Sequence, residues 1–297
     1  MDKILLIDGH NAMWRASVTF GDTKMKHQLV QADERDCSCG QPWDFETKSC
    51  SKDFIVIFNF FRNLRPIIEL FSPDKCFFVL EGHPQFRYDL FADYKANRII
   101  KNAAKKEVQA KFFKDKDIIV SLLQHLPMTT VRASSYEADD VIATLCDDLK
   151  EEAVTVLSND SDYIQLLQKG YKSCQVYNPI KKVFMEAPAY PYVPWKCLNG
   201  DKSDNITALL KPKKALDTVN SPDMFRKFLE VEENRANFSL NRQLIEFRSV
   251  PLEEIVMHEG VKNFELLKQE FAKMEFESII NDKSWAKYKK TFDCIRY

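Results

Sequence analysis

The stretch "YEADDVIATL" places Glu137, Asp139 and Asp140 within four residues, immediately before an apolar run. Other acids close or follow apolar segments: Asp8 ends "KILLID", Glu81 ends "CFFVLE", and Asp160 and Asp162 follow "AVTVL". Carboxylates gathered without His or Cys suit hard cations with oxygen shells, Mg2+ or Mn2+, better than zinc. Two such ions side by side would activate water and stabilise the leaving oxygen of a phosphodiester. None of the histidines (His10, His27, His83, His125, His258) sits in a Ser/His/Asp arrangement. There is also no P-loop and no G-x-G-x-x-G.

The elements that must position these acids follow from periodicity. Ala138, Val141, Ile142, Leu145 and Leu149 recur on one helical face, so the acids occupy the first turn of a helix. Taken alone, a solvated acidic turn capped by Ser134 or Ser135 accounts for the stretch as well as a cation site does. "KILLID", "CFFVLE" and "AVTVLSND" read as buried parallel strands, and "MTTVRA" as a strand leading to the acidic helix. Helical patterns alternate with them: "DFIVIFNFFRNLRPIIELF", expected to break or bend at Pro66, then "DKDIIVSLLQHL" and "EADDVIATLCDDLK". This alternation predicts a parallel sheet with helices on both faces, in which the strand ends carrying Asp8, Glu81, Asp160 and Asp162 share one edge. After Pro179, "NPIKKVFMEAPAYPYVPW" reads as a connection with a short hairpin. A charged, mainly helical region without strong strand signals then begins at Asp201 and Asp204. The expected division is an α/β domain over residues 1–190 and a helical domain over 191–297.

At 297 residues and 45% hydrophobic content, the chain can bury a substantial core. It has no apolar run of membrane-spanning length and starts on a strand-like "ILLID" instead of a signal peptide, so a cytoplasmic protein without a membrane partner is expected. Eight scattered cysteines fit reduced thiols. His27, Cys37, Cys39 and Cys50 form a loose cluster readable either as a zinc site of non-standard spacing or as a loop insertion. Net charge is −1, yet Lys95, Arg98, Lys101, Lys105, Lys106, Lys111, Lys114 and Lys116 lie in one window against only Glu107 and Asp115. Such a run is either a solvated helix face or a nucleic-acid contact.

The stretches "LLIDGHNAMWRA", "FVLEGHPQFRYDLFADYKANR", "YEADDVIATL", "LSNDSDYIQLL" and "LNGDKSDNI" resemble, in order, the motifs of the 5′ nuclease or flap endonuclease superfamily. That superfamily includes the 5′ nuclease domain of DNA polymerase I and phage ribonuclease H; "NRQLIEFRSVPLE" and "MEFESII" resemble weaker C-terminal signatures. The resemblance implies a PIN-like parallel sheet flanked by helices, a helical arch and a mainly helical C-terminal region. It further implies a two-ion site, Mg2+ with Mn2+ able to substitute, built from Asp8, Glu81, Glu137, Asp139, Asp140, Asp160, Asp162, Asp201 and Asp204. Several of these would act through bound water, and Glu81 departs from the Asp usual in the family. "YKANR" resembles the start of the arch, which implies Lys95 and Arg98 facing the scissile phosphate and Tyr94 stacking on a base. Lys101, Lys105 and Lys106 continue the nucleic-acid contact. The family's helix-hairpin-helix is glycine-rich, whereas "ITALLKPKKALDTV" has no glycine. A potassium site is therefore expected to be missing, leaving Lys211, Lys213 and Lys214 either as a looser contact to duplex DNA or as a solvated basic turn. The implied activity is a magnesium-dependent, structure-specific 5′ nuclease (5′-3′ exonuclease, flap endonuclease, with ribonuclease H activity). Its substrate would be DNA or RNA·DNA duplexes with a 5′ end or flap, in replication, with replication proteins as partners. A phage origin would place it in the host cytoplasm. The rival readings are a branched-DNA-binding protein that does not cut and a PIN-type single-strand ribonuclease.

Overall fold

The structure, a computed structural model, describes residues 1–20, 43–44, 49–50, 54–98, 103–171 and 173–296. Its strands are β1 (Lys3–Asp8), β2 (Trp43–Asp44), β3 (Ser49–Cys50), β4 (Lys75–Leu80), β5 (Thr129–Arg132), β6 (Ala153–Leu157), β7 (Cys174–Asn178), β8 (Val183–Phe184) and β9 (Val256–Glu259). Seven of them form a sheet in the order β8-β7-β6-β1-β4-β5-β9, while β2 and β3 pair separately. Ile4, Leu5, Leu6 and Ile7 are all buried, the mark of a central strand covered on both faces. β1 runs parallel to β6 from Lys3 opposite Ala153 to Ile7 opposite Leu157, and β6 runs parallel to β7. This register brings Asp8 and the Ser158–Asp162 turn to the same end of the sheet. The parallel-dominated α/β architecture expected from the sequence is the observed one. No helix among the described residues is long and apolar enough to cross a membrane.

Several elements differ from the sequence reading. Of the break or bend expected at Pro66 the break is absent, since one helix spans Ile55–Phe71. Proline removes one backbone bond, but buried Phe60, Phe61, Leu64 and Ile68 keep the apolar face packed on both sides of it. The expected hairpin is made by β7 and β8, and β7 is itself a full parallel strand. Its turn is closed by Asn178, whose Oδ1 accepts the N–H groups of Ile180 and Lys181 at 3.0 Å each. In the C-terminal region β9 adds a strand that alternation could not signal, because all four of its residues are exposed.

Two compact units are drawn from discontinuous segments. The first comprises Met1–Gly9, Val79–Lys101 and Val131–Met257, and the second comprises His10–Phe78, Asn102–Thr130 and His258–Tyr297. The second unit has an aromatic core, with Phe61 and Phe271 rings 5.1 Å apart and Trp285 stacked on Tyr288 at 5.4 Å. In the first unit the turn after β4 is clamped to the segment before the acidic helix. Gly82 N–H donates to Tyr136 O at 3.0 Å and His83 N–H to Ser134 O at 2.8 Å.

That approach depends on the missing side chain, since a Cβ on Gly82 would lie 2.1 Å from Ala133 O and 2.3 Å from Tyr136 O. Both obstacles are backbone, so Gly82→Ala is expected to lower unfolding free energy by roughly 1–3 kcal/mol as the loops are forced apart. Denaturant unfolding of the variant measures this, and wild-type stability would show that the two loops separate freely.

Candidate active site

Glu137 caps the helix Ala138–Asp148 itself, in a capping box with Asp140, so neither Ser134 nor Ser135 serves as the expected cap. Carboxylate oxygens of Glu137, Asp139 and Asp140 come within 4.8 Å of one another, the only such group of three or more metal-ligand side chains among the described residues. Their repulsion is met by Arg87, which is 1% exposed and was not singled out in the sequence. Its Nη1 donates to Glu137 at 2.8 Å and to Asp140 at 2.6 Å, its Nη2 to Asp140 at 2.8 Å, and its Nε to Leu244 O at 3.1 Å. Asp140 also accepts from the N–H of Arg248 at 2.8 Å and, weakly, of Glu137 at 3.4 Å. Its oxygens are therefore saturated, and in this arrangement Asp140 anchors Arg87 instead of standing open as a ligand. The "LIEFRSV" stretch serves the site from the C-terminal side, because Val250 N–H also reaches Thr144 Oγ1 on the acidic helix at 2.9 Å.

Around this turn stand the acids of the strand ends. Asp8 Oδ2 accepts from Ser158 Oγ at 3.0 Å and from Tyr163 OH at 3.3 Å. Tyr163 is a hub: burial, then Asp8, Asp139, Asp160 and Glu81, hold its phenol far above its ordinary pKa. Asp160 is exposed and caps the following turn through Asp162 N–H at 3.0 Å. Glu81 Oε2 accepts from Ala138 N–H at 3.0 Å, and burial with the neighbouring Glu137 pushes its carboxyl up to about 7. Burial, Asp140 and Glu137 likewise hold Asp139 well above the carboxylate range. An all-oxygen donor set that resists ionisation is what a divalent cation with oxygen ligands would relieve, and the residues fit that group.

Cations already answer part of the charge. Lys95 pairs with Glu137 and lies 3.9 Å from Asp204; although burial opposes its charge, Glu137, Asp204 and Glu81 hold its ammonium above the ordinary lysine range. Glu137 in turn is held below the carboxylate range, against burial, by Lys95 and Arg87. Arg98 pairs with Asp204. Lys95 has φ 56°, a left-handed conformation rare outside glycine, pinned by its N–H donating to Asp204 O at 2.9 Å. Tyr94 does not offer the stacking surface expected of it. It is 2% exposed and packs with Cys197, Ile206, Leu244 and Ile245, and its OH donates toward Glu137 at 3.1 Å and Asp204 at 3.2 Å.

A second buried cation, Lys196, was also missed in the sequence. It pairs with Asp162 and with Asp201, the latter at 2.7 Å. Burial raises Asp162 to about 6 despite Lys196, whereas Asp201 falls to about 2 against burial, because Lys196 and Ser203 both favour its charge. Buried cations such as Arg87 and Lys196 read as surface residues in a sequence, and only the density of acids nearby signalled that counter-charges were needed.

Of the other residues singled out, Lys211, Lys213 and Lys214 are exposed at the start of the helix Pro212–Val219. No residue from Thr207 to Val231 has positive φ, in keeping with a plain helix pair in place of a glycine hairpin. Lys105 and Lys106 lie on the helix Ala103–Leu123, with side chains outside those described. Lys101, His27, Cys37 and Cys39 lie outside the described residues, as does the side chain of Cys50.

Comparison with known proteins bears on the family and the fold. A family model described as "5′-3′ exonuclease, N-terminal resolvase-like domain" matches residues 3–190. The chain is 29% identical to a 5′-3′ exonuclease of Bacillus subtilis (strain 168) over 280 residues, covering 84% of this chain and 85% of that protein. It is 26% identical to DNA polymerase I of Chloroflexus aurantiacus over 81% of this chain, but spans only 26% of the polymerase. In fold it is similar to the T5 D15 protein co-crystallised with metal ions (TM-score 0.61, 13% identity, 98% of this chain and 99% of that one). It is similar also to human GEN1 in complex with Holliday junction DNA (TM-score 0.51, 14% identity, 98% and 72%). With the acidic edge in place and the family pattern covering more than half of its length, the chain belongs to the 5′-3′ exonuclease family and is a nuclease.

Proposed function

We propose that this nuclease hydrolyses phosphodiesters at 5′ ends or flaps of branched DNA or RNA·DNA duplexes in replication, with two divalent ions, Mg2+ or in its place Mn2+. The observation that carries this reading is the juxtaposition of the buried acidic turn with Lys95 and Arg98, which joins a cation site to phosphate-binding groups. Asp8, Glu81, Glu137, Asp139, Asp160, Asp162, Asp201 and Asp204 would hold the ions, some through water, and Asp140 would fix the frame through Arg87. The ions, when bound, supply an activated water and stabilise charge on the leaving oxygen. Lys95 extends from a backbone pinned by Asp204 O, and its ammonium, paired with Glu137 here, would be the group that meets the phosphate. Residues 1–190 would form the nuclease domain and residues 191–297 the duplex-binding region. Lys211, Lys213 and Lys214 crowd the positive end of a helix dipole, an unfavourable placement that an anionic duplex would reverse. A labelled 5′-flap substrate, incubated with Mg2+ or with chelator beside matched RNA·DNA and single-stranded RNA, tests the assignment. Binding without cutting, or cutting of single-stranded RNA alone, would overturn it.

Asp160→Asn is expected to abolish cleavage while leaving metal-free DNA affinity unchanged or improved, because it removes a negative charge from the site without altering any lysine. Wild-type rates at saturating Mg2+ would exclude Asp160 from the chemistry. Lys95→Ala should lower the single-turnover rate by ~10²-fold or more with a much smaller drop in affinity, the signature of a cation working in the transition state. Weaker affinity at an unchanged saturated rate would make Lys95 an ordinary phosphate contact. At constant ionic strength, cleavage should not distinguish K+ from Na+. Neutralising Lys211, Lys213 and Lys214 together should weaken duplex binding and flatten its log–log salt slope by roughly one unit for each phosphate that is no longer neutralised. A potassium requirement, or an unaltered slope, would contradict this role.

A further inference from the structure

Away from the acidic edge, two thiols meet. Cys146, near the end of the helix Ala138–Asp148, and Cys174, the first residue of β7, bring their sulfurs to 3.9 Å. Cys146 is 1% exposed, whereas Cys174 is partly open to solvent. Lys169 stands beside them, held by Asp147 at 3.0 Å and lying 5.7 Å from the centre of the Tyr171 ring. The contact between the sulfurs separates their acidities. It lowers the Cys174 thiol, with help from Lys169 against burial and Asp147, and together with burial it raises that of Cys146. An accessible thiol of lowered pKa beside a shielded partner is the arrangement of an attacking and a resolving cysteine.

We propose that Cys174 and Cys146 close to a disulfide by exchange with a small organic disulfide, cross-linking the far end of the acidic helix to β7. In the first step the Cys174 thiolate attacks one sulfur of the organic disulfide; a Cys174 mixed disulfide forms, the organic S–S bond breaks, and one thiolate leaves. In the second, Cys146 gives up its proton to solvent and its thiolate attacks the Cys174 sulfur, releasing the second organic thiolate. The two protein thiols lose two electrons together, and the organic disulfide gains them as two thiols. The sulfurs must approach from 3.9 Å to bonding distance, a movement that falls to the partly open Cys174 side chain. The link would close a loop of 28 residues and restrain the unfolded chain accordingly.

Treating the full chain with glutathione disulfide, quenching with acid and mapping peptides without reduction tests this directly. The expected product joins Cys146 to Cys174, with a melting temperature higher by roughly 5–10 °C that returns to its starting value with dithiothreitol. Cys146→Ala should instead accumulate a glutathione adduct on Cys174, since nothing is left to resolve it. The proposal is overturned if wild-type Cys174 stays reduced while exposed Cys294 reacts, or if it keeps a stable adduct with Cys146 present. Wild-type mapping decides the matter even if the variant does not fold.

Discussion

One buried guanidinium makes the acidic edge possible. Glu137, Asp139 and Asp140 share the first turn of a helix, and the helix dipole alone offers each only about 0.3–1 kcal/mol. Arg87 adds a two-pronged contact to Asp140 and a third bond to Glu137, and turns its remaining edge to Leu244 O. An arginine this deeply buried is tolerated because all three of its nitrogens are paired, and its partners in turn depend on it. The position of the acidic turn, of Leu244 and of Arg248 is therefore set together, through the Arg87–Asp140 pair.

The same logic recurs at a smaller scale. Lys196 sits between Asp162 and Asp201, and Lys95 between Glu137 and Asp204, so each group of acids carries its own internal counter-charge. Glu81, Asp139 and Asp160 form no ion pair among the described residues, and they differ in kind. Burial and their like-charged neighbours push Glu81 and Asp139 toward the protonated form, and Asp160 lies exposed at the edge. The protein thus compensates part of its charge with its own lysine and arginine side chains, and leaves another part to be met from solution.

What could be read in advance follows from which physical signals are local. Apolar runs announced β1, β4 and β6, and helical spacing from Ala138 to Leu149 announced the acidic helix, because burial on a regular period leaves a pattern in neighbouring residues. The edge strand β9, exposed at every position, left none, and β7 was hidden by Cys174, Gln175 and Asn178. The acids at the strand ends were legible through topology. Arg87 and Lys196 were not, since "FRYDL" and "PWKCLNG" look like solvated segments until their distant partners are known. Tyr94 misled for the same reason: its motif marks its neighbourhood, but only packing shows that its ring belongs to the core.

The bonds that order this edge join residues far apart along the chain. Ser158 meets Asp8 across 150 positions, Arg87 meets Leu244 across 157, Tyr94 meets Asp204 across 110, and Arg248 meets Asp140 across 108. Such long loops must close before their contacts offset the entropy, so ordering this edge carries a large entropic cost of closure. During synthesis, the acids of this edge have all emerged by residue 204, yet the backbone groups that complete the pairing of Arg87 and Asp140 follow only with residues 244 and 248. An elongating chain therefore carries the acids well before it carries the frame that aims them.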